Sequence, residues 1–156
     1  MAYKISGLQA HPFTSFFGLG EAWLAKQGAV RVKVDSYPGY PDRISLREIP
    51  LGETALLINH TYQPAETPYF GTHAIYIWEG CTEQGIYINA LPAVMSGRVL
   101  SLRAYDKKHF LRRADLCSGE FAEPLIHRFF ADPSIDYIHI HNAKQGCFSC
   151  LAERLA

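Results

Sequence analysis

The sequence contains no long apolar run and no excess of charge of either sign. No segment approaches the roughly 18 uninterrupted apolar residues of a membrane-spanning helix, and the first residues lack an apolar stretch of signal-peptide length. Fifteen basic and fifteen acidic side chains cancel, without the basic stripe typical of proteins that bind a phosphate backbone. We therefore expect a cytoplasmic protein that binds neither membranes nor nucleic acid.

Familiar catalytic motifs are also missing. The chain has no glycine-rich phosphate-binding loop, no serine elbow and no zinc-protease motif. Its four cysteines are too few for a dense disulfide framework, and in a reducing compartment they are expected to be thiols. These absences exclude the enzyme classes that carry such signatures, and they leave a small-molecule site as the expected binding feature.

Nothing in the chain divides it into parts, since there is no repeat, no low-complexity segment and no linker. Hydrophobic residues make up 48% and charged residues 19%, which is typical of a globular protein. A chain of 156 residues is long enough to bury about two thirds of its unfolded surface. We expect one domain over residues 1–156 that needs no cofactor to fold.

Apolar alternation and turn signals predict a mostly antiparallel β structure. Because the predicted strands mostly follow one another with few helices between them, an α+β fold is favoured, with a largely antiparallel sheet and a few packed helices. Proline-rich loops are expected at 36–43 and 61–71. Strands are predicted at 2–6, 29–35, 54–60, 72–78, 85–88, 98–105, 111–116 and 135–141, and helices at 20–27, 120–130 and from about 147.

A segment near the C-terminus concentrates reactive side chains. Strand alternation places Tyr137, His139 and His141 on one face. A helix beginning near Cys147 would set its thiol at the positive end of the helix dipole. Cys147 is then a candidate nucleophile, with His139 or His141 as its base and Asn142 as the orienting group, as in cysteine–histidine hydrolases. Such a site would hydrolyse a small molecule or transfer an acyl group.

The same histidines allow a second hypothesis, a transition-metal site. His139 and His141 could bind a metal such as Zn together with His60 and His73, which lie near the ends of other predicted strands. Histidines and a cysteine that serve only in packing are a third interpretation. Cys147 and Cys150 form a C-x-x-C pattern, but only six residues follow Cys150, too few for the continuation of a thioredoxin.

Two arginines and two tyrosines complete the candidate ligand-binding set. Arg43 and Arg103 suit bidentate recognition of a carboxylate or phosphate, although a solvent-exposed Arg103 is an alternative. Tyr40 and Tyr69 flank the proline-rich loops and supply aromatic surfaces with polar tips. We expect a small-molecule pocket between the 36–43 loop and the 139–147 segment, or, alternatively, a non-catalytic binding or interaction surface formed by the tyrosine- and proline-containing loops.

Several short motifs together resemble a family of small bacterial proteins known as domain of unknown function 1203. The resemblance spans nearly the whole chain and implies no particular activity. The family's loop usually carries a cysteine where this chain has Asp42, and its pattern includes Cys147 but not Cys150. The resembling segments are DSYPGYPDRISL (35–46), GE (52–53), PY (68–69), HAI (73–75), EG (79–80), LRAYD (102–106), YIHIHNA (137–143) and GCF (146–148).

Overall fold

Two antiparallel sheets form the frame of the protein, which is described over residues 1–156 by a computed structural model. The larger sheet has six strands in the order β5-β1-β9-β8-β6-β7, and the smaller has three in the order β2-β3-β4. The strands are β1 (Tyr3–Ser6), β2 (Val30–Lys33), β3 (Thr54–Gln63), β4 (Gly71–Trp78), β5 (Ile86–Ile88), β6 (Val99–Tyr105), β7 (Leu111–Ser118), β8 (Tyr137–Asn142) and β9 (Phe148–Arg154).

The helices are few and short, which confirms the predicted sheet-dominated α+β architecture. They are α1 (His11–Thr14), α2 (Glu21–Lys26) and α3 (Ala122–Phe130), with 3₁₀ turns at 93–95 and 119–121. Pro124 lies in the first turn of α3, where its missing N–H has no cost. None of these helices has the length and apolar character needed to cross a membrane.

The largest core lies on one face of the six-stranded sheet, under α3. Leu100, Leu102 and Ala104 of β6 are completely buried there, and Ile138 and Ile140 of β8 join them. Because side chains alternate along a strand, the residues between these positions project from the opposite face of the sheet. That opposite face carries the arginine and the two histidines singled out from the sequence, at positions 103, 139 and 141.

The helix predicted from about residue 147 is wrong, because β9 occupies residues 148–154. Gly146 has a φ of 77°, and its N–H donates to the carbonyl oxygen of Asn142, so the chain reverses directly after β8. β9 then pairs with both β8 and β1. Pairing with two strands satisfies the backbone more fully than the single helical turn that the short C-terminal segment allows. No helix dipole therefore acts on Cys147.

Candidate functional site

A cleft of about 360 Å³ opens beside the end of β3, and we call it the histidine cleft. Its walls come from the end of β3 and the residues after it, the turn between β6 and β7, and strands β8 and β9. The predicted pocket used the 36–43 loop, but that loop contributes no lining residue, and residues 62–65 line the cleft instead. The lining residues are Tyr62, Gln63, Pro64, Ala65, His109, Tyr137, His139, Leu151 and Glu153.

The two strand histidines are buried and uncharged. Burial, together with smaller effects of the neighbouring His141 and Arg103, lowers the pKa of His139 to about 3. Burial likewise lowers the pKa of His141 to about 4. Nδ1 of His141 donates to the carbonyl oxygen of Gly146 at 3.0 Å, so Nε2 of this neutral ring carries the lone pair. Both imidazoles are therefore neutral at pH 7.

His139 has hydrogen-bonding capacity that the protein leaves unused. The residue is only 6% exposed, and its Nδ1 is enclosed without a partner. The Nε2 atom of His141 is also enclosed without a partner. A buried polar atom without a hydrogen bond costs about 1–3 kcal/mol, and native proteins contain few of them. Of these two rings, His139 is the one that lines the cleft, so it is the one positioned to meet a ligand.

A hydrogen-bonded tyrosine stands beside His139 at the rim of the cleft. Oη of Tyr137 accepts from Nε2 of Gln63 at 2.9 Å and lies 2.9 Å from Nδ1 of His109. His109 has a φ of 65°, which is uncommon for a residue other than glycine, and its N–H donates to the carbonyl oxygen of Asp106 at 2.9 Å. Burial raises the pKa of Tyr137, so its phenol stays neutral. The rim thus holds a phenol in a fixed position.

Aromatic rings surround the two histidines. Tyr62 meets His141 edge-on, with the ring centroids 4.8 Å apart. Tyr105 lies 5.1 Å from His139 and stacks on Tyr137 at 5.3 Å. This aromatic layer explains the burial that lowers both histidine pKa values, because the rings replace water around the imidazoles.

The two tyrosines predicted to bind a ligand lie in different places. Tyr69 contacts Tyr105 at 6.0 Å and so belongs to the aromatic layer beside the cleft. Tyr40 donates a hydrogen bond to Asp35 at 2.7 Å and packs on Tyr76 at 4.9 Å, within the cluster of the smaller sheet. The structure therefore brings Tyr69, but not Tyr40, towards the histidines.

Arg103 provides a positive charge next to His139. The two residues are directly opposite each other on β6 and β8. Nε of Arg103 donates to Oγ of Ser101 at 3.2 Å, and no carboxylate forms an ion pair with the guanidinium. Ser101 and Arg103 are half-buried, so this face of β6 carries an unpaired cation. The charge of Arg103 contributes to the lowered pKa of His139, although Arg103 itself does not line the cleft.

Cys147 lies in a second cluster, which we call the thiol centre, formed by Arg43, Asn142 and Cys147. Nη2 of Arg43 donates to Sγ of Cys147 at 3.0 Å, and Nδ2 of Asn142 lies 3.6 Å from the same sulfur. Nε of Arg43 donates to the carbonyl oxygen of Phe148 at 2.9 Å, and Nη1 to that of Pro41 at 2.6 Å. Burial lowers the pKa of this arginine, whose side chain is enclosed without a carboxylate partner.

The structure separates the thiol from the histidines that were predicted to activate it. Neither imidazole forms a hydrogen bond with Cys147. The N–H of Asn142 donates to the carbonyl oxygen of Cys147, whereas His141 pairs with Phe148. Because successive residues of a strand face opposite sides, the thiol and the imidazoles emerge on different faces of the hairpin. The predicted catalytic residues are thus divided between two clusters: Asn142 and Cys147 lie in the thiol centre, whereas His139 and His141 lie at the histidine cleft.

The four histidines of the metal hypothesis do not form a coordination sphere. His60 and His73 are paired across β3 and β4, but His73 is only half-buried and its Nδ1 lies 2.9 Å from the carbonyl oxygen of Ala74, while His60 packs between the rings of Phe13 and Phe148 at 6.0 and 6.1 Å. Burial also lowers the pKa of His60. No three His, Cys, Asp or Glu side chains are arranged to hold a metal ion.

Several cleft residues were not singled out from the sequence. Tyr137 had a signal, since it shares the alternating face of β8 with the histidines. Tyr62 also had one, since it lies beside a proline-rich loop, whereas Gln63 and His109 had none, because they come from other parts of the chain and reach the cleft only through the tertiary structure.

Asp42, which occupies the position of the family's usual cysteine, has a structural role in this chain. Its carboxylate accepts hydrogen bonds from the N–H and Oγ of Ser45, at 2.7 and 2.6 Å, and from the N–H of Trp78 at 2.9 Å. These bonds fix the end of the 36–43 loop against β4. The next residue, Arg43, is thereby held in the interior.

Comparison with known proteins gives one match. No curated protein and no solved structure matches this chain. A family described as "Protein of unknown function (DUF1203)" matches residues 39–154. The matched region contains both clusters, from Arg43 to the β8–β9 hairpin. Because the match covers well over half of the chain, the protein belongs to the DUF1203 family.

Proposed function

We propose that the protein binds a small organic ligand in the histidine cleft. The observation that carries this proposal is His139, a buried neutral imidazole with an unpartnered nitrogen, which lines a cleft of about 360 Å³. Ligand sites are commonly clefts of about 300–1,000 Å³, with largely apolar or aromatic walls and a few polar groups that orient the ligand. The aromatic layer and the Tyr137 phenol match that description.

Binding is favoured over acid–base catalysis by the histidines. A general acid or base works best when its pKa lies near the working pH. The pKa values of His139 and His141, about 3 and about 4, are well below neutrality. Each ring therefore serves as a neutral hydrogen-bonding group. Hydrolysis or acyl transfer by Cys147 has no support from a neighbouring base, because no histidine contacts the thiol.

Arg103 indicates the chemical class of the ligand. Its guanidinium has no carboxylate partner in the protein, and an arginine binds a carboxylate through two parallel hydrogen bonds. The neighbouring tyrosines favour a ring that packs against them edge-on or offset. A small aromatic carboxylate satisfies both features, with its ring in the cleft and its charge towards Arg103.

Binding is tested by adding benzoate, or its neutral analogue benzamide, to isotopically labelled protein and following NMR chemical shifts. Both probes should shift resonances of cleft residues. His139→Phe should weaken the binding of both probes by at least about tenfold, because it keeps a ring but removes the nitrogens. His11→Phe is the matched control, on exposed α1. The proposal fails if millimolar probe leaves the cleft unshifted, or if His139→Phe binds like the wild type.

The carboxylate preference has a separate test in Arg103→Gln. Loss of a charge-assisted bidentate contact should weaken the binding of benzoate about tenfold and leave the binding of benzamide unchanged. Arg113→Gln serves as control, because Arg113 is exposed and pairs with Asp132. Equal binding of the two probes to the wild type would reject the carboxylate preference and leave the cleft itself supported.

A further inference from the structure

We propose that Cys147 is a modification site at which hydrogen peroxide converts the thiol to a sulfenic acid, assisted by Arg43 and Asn142. This inference concerns the thiol centre and does not depend on ligand binding in the histidine cleft. Two features of the thiol centre carry it: an enclosed cation in contact with the sulfur, and an unused acceptor beside the sulfur.

The first feature is the isolation of Arg43. A charged group removed from water needs an opposite charge or a full set of hydrogen bonds. The three hydrogen bonds of Arg43 go to two carbonyl oxygens and to Sγ of Cys147. The carboxylate of Asp42 is already bonded to Ser45 and Trp78. Cys147 is therefore the one ionisable side chain in hydrogen-bond contact with the guanidinium, and a negatively charged sulfur is the nucleophilic form of cysteine.

The second feature is the orientation of Asn142. This side chain is only 4% exposed, its Nδ2 faces the sulfur at 3.6 Å, and its Oδ1 is enclosed without a hydrogen-bond donor. A sulfenic acid adds an O–H group to the sulfur. The thiol centre thus contains an acceptor without a donor on the side chain that already contacts Sγ, and the oxidised cysteine would supply that donor.

The chemistry is a two-electron oxidation. The thiol gives up its proton to solvent, the sulfur attacks one oxygen of hydrogen peroxide, an S–O bond forms and the O–O bond breaks. The leaving hydroxide takes a proton from solvent and becomes water, while the transferred oxygen keeps its own hydrogen. Cysteine is oxidised and peroxide is reduced. Cys147 is 7% exposed, whereas Cys150 has no exposed surface.

The proposal is tested by treating the native protein with hydrogen peroxide, trapping sulfenic acid with dimedone and quantifying each cysteine by mass spectrometry. Cys81 and Cys117 are more exposed internal controls without an arginine contact, and burial raises the pKa of both. Cys147 should be labelled about tenfold faster than either. If exposure alone decides, Cys81 and Cys117 will react first, and the proposal is then overturned.

A variant separates the charge effect from accessibility. Asn142→Asp is nearly isosteric and sets a carboxylate beside the sulfur that Arg43 contacts, so the guanidinium gains a nearby negative charge and the sulfur loses a donor. Labelling of Cys147 should fall at least tenfold, while Asn59→Asp on the exposed side of β3 changes nothing. An unchanged rate in folded Asn142→Asp protein contradicts the proposal. If that variant does not fold, the rate order of the wild-type cysteines decides alone.

Discussion

Nη2 of Arg43 lies 3.0 Å from Sγ of Cys147, although 104 residues separate the two in the sequence. With its two further hydrogen bonds, to the carbonyl oxygens of Pro41 and Phe148, the guanidinium joins the 36–43 loop to the β8–β9 hairpin. The loop lies between β2 and β3 of the smaller sheet, and the hairpin belongs to the larger sheet. One buried cation therefore connects the two halves of the fold and contacts the thiol of Cys147 just before the hairpin's second strand.

Replacement of Arg43 should destabilise the protein strongly. Arg43→Leu leaves the carbonyl oxygens of Pro41 and Phe148 without a donor, and each such loss costs about 1–3 kcal/mol. We expect the free energy of unfolding to fall by about 2–5 kcal/mol in urea titrations. Arg113→Leu, which removes an exposed ion pair, should cost less than about 1 kcal/mol. Equal effects of the two changes would show that Arg43 is not a structural link.

Stability should decline as the pH falls from about 6.5 to 5. The folded-state pKa values of His139 and His141, about 3 and about 4, lie below the unfolded value of about 6.5. In this window the unfolded chain takes up protons that the folded protein does not, so acid favours unfolding. Linkage predicts a loss of about 1.5 kcal/mol for each histidine, measured by urea titration at each pH.

A matched pair of variants identifies the source of that pH dependence. His139→Phe should remove about half of the slope, and His11→Phe should leave it intact. Glu79 does not contribute to this slope. Its pKa is depressed from 4.5 to about 2, so the stability that this carboxylate contributes is fully present above about pH 4.5 and is lost as the pH falls from there towards 2. A wild-type stability that does not change between pH 5 and 7 would refute the assignment of buried neutral histidines.

Glu79 should be a major stabilising side chain outside both clusters. Its carboxylate accepts from Nε and Nη2 of Arg31 at 2.9 and 2.8 Å, from the N–H of Gly18 at 2.8 Å and from Oγ1 of Thr54 at 3.0 Å. Glu79→Ala is expected to lower the free energy of unfolding by about 2–4 kcal/mol.

The control for Glu79 is another carboxylate on the same arginine. Glu21 also pairs with Arg31, but its side chain is 71% exposed, so Glu21→Ala should cost less than about 1 kcal/mol. Thermal unfolding of the two variants in parallel makes the comparison. Similar losses would mean that burial does not distinguish these two ion pairs.

Cys150 should be inert in the native state. It lies in the main core with no exposed surface, and burial raises its pKa to about 12. We expect iodoacetamide at pH 8 to modify it only as fast as the protein unfolds, and fully in urea. Mass spectrometry of the peptides measures this directly. Modification of Cys150 without unfolding would show that the β8–β9 region opens locally.

Strand positions could be predicted because their signal is local. Leu100, Leu102 and Ala104 alternate with polar residues in the sequence, and the structure buries those three. The segment after Gly146 was misassigned because its apolar residues Phe148, Leu151 and Leu155 recur at helical spacing. A bulge opposite His141 in the β8–β9 ladder accounts for that spacing, since it adds one residue to the strand. Such an irregularity depends on the partner strand.

The sequence by itself determined the antiparallel α+β architecture, the shared face of Tyr137, His139 and His141, and the family resemblance, because alternation and motifs are properties of neighbouring residues. Only the tertiary structure decided that Cys147 faces Arg43 instead of a histidine, and that His139 shares a cleft with His109. These partners come from distant segments, and their meeting depends on strand order and on which face each hairpin turns towards the other sheet.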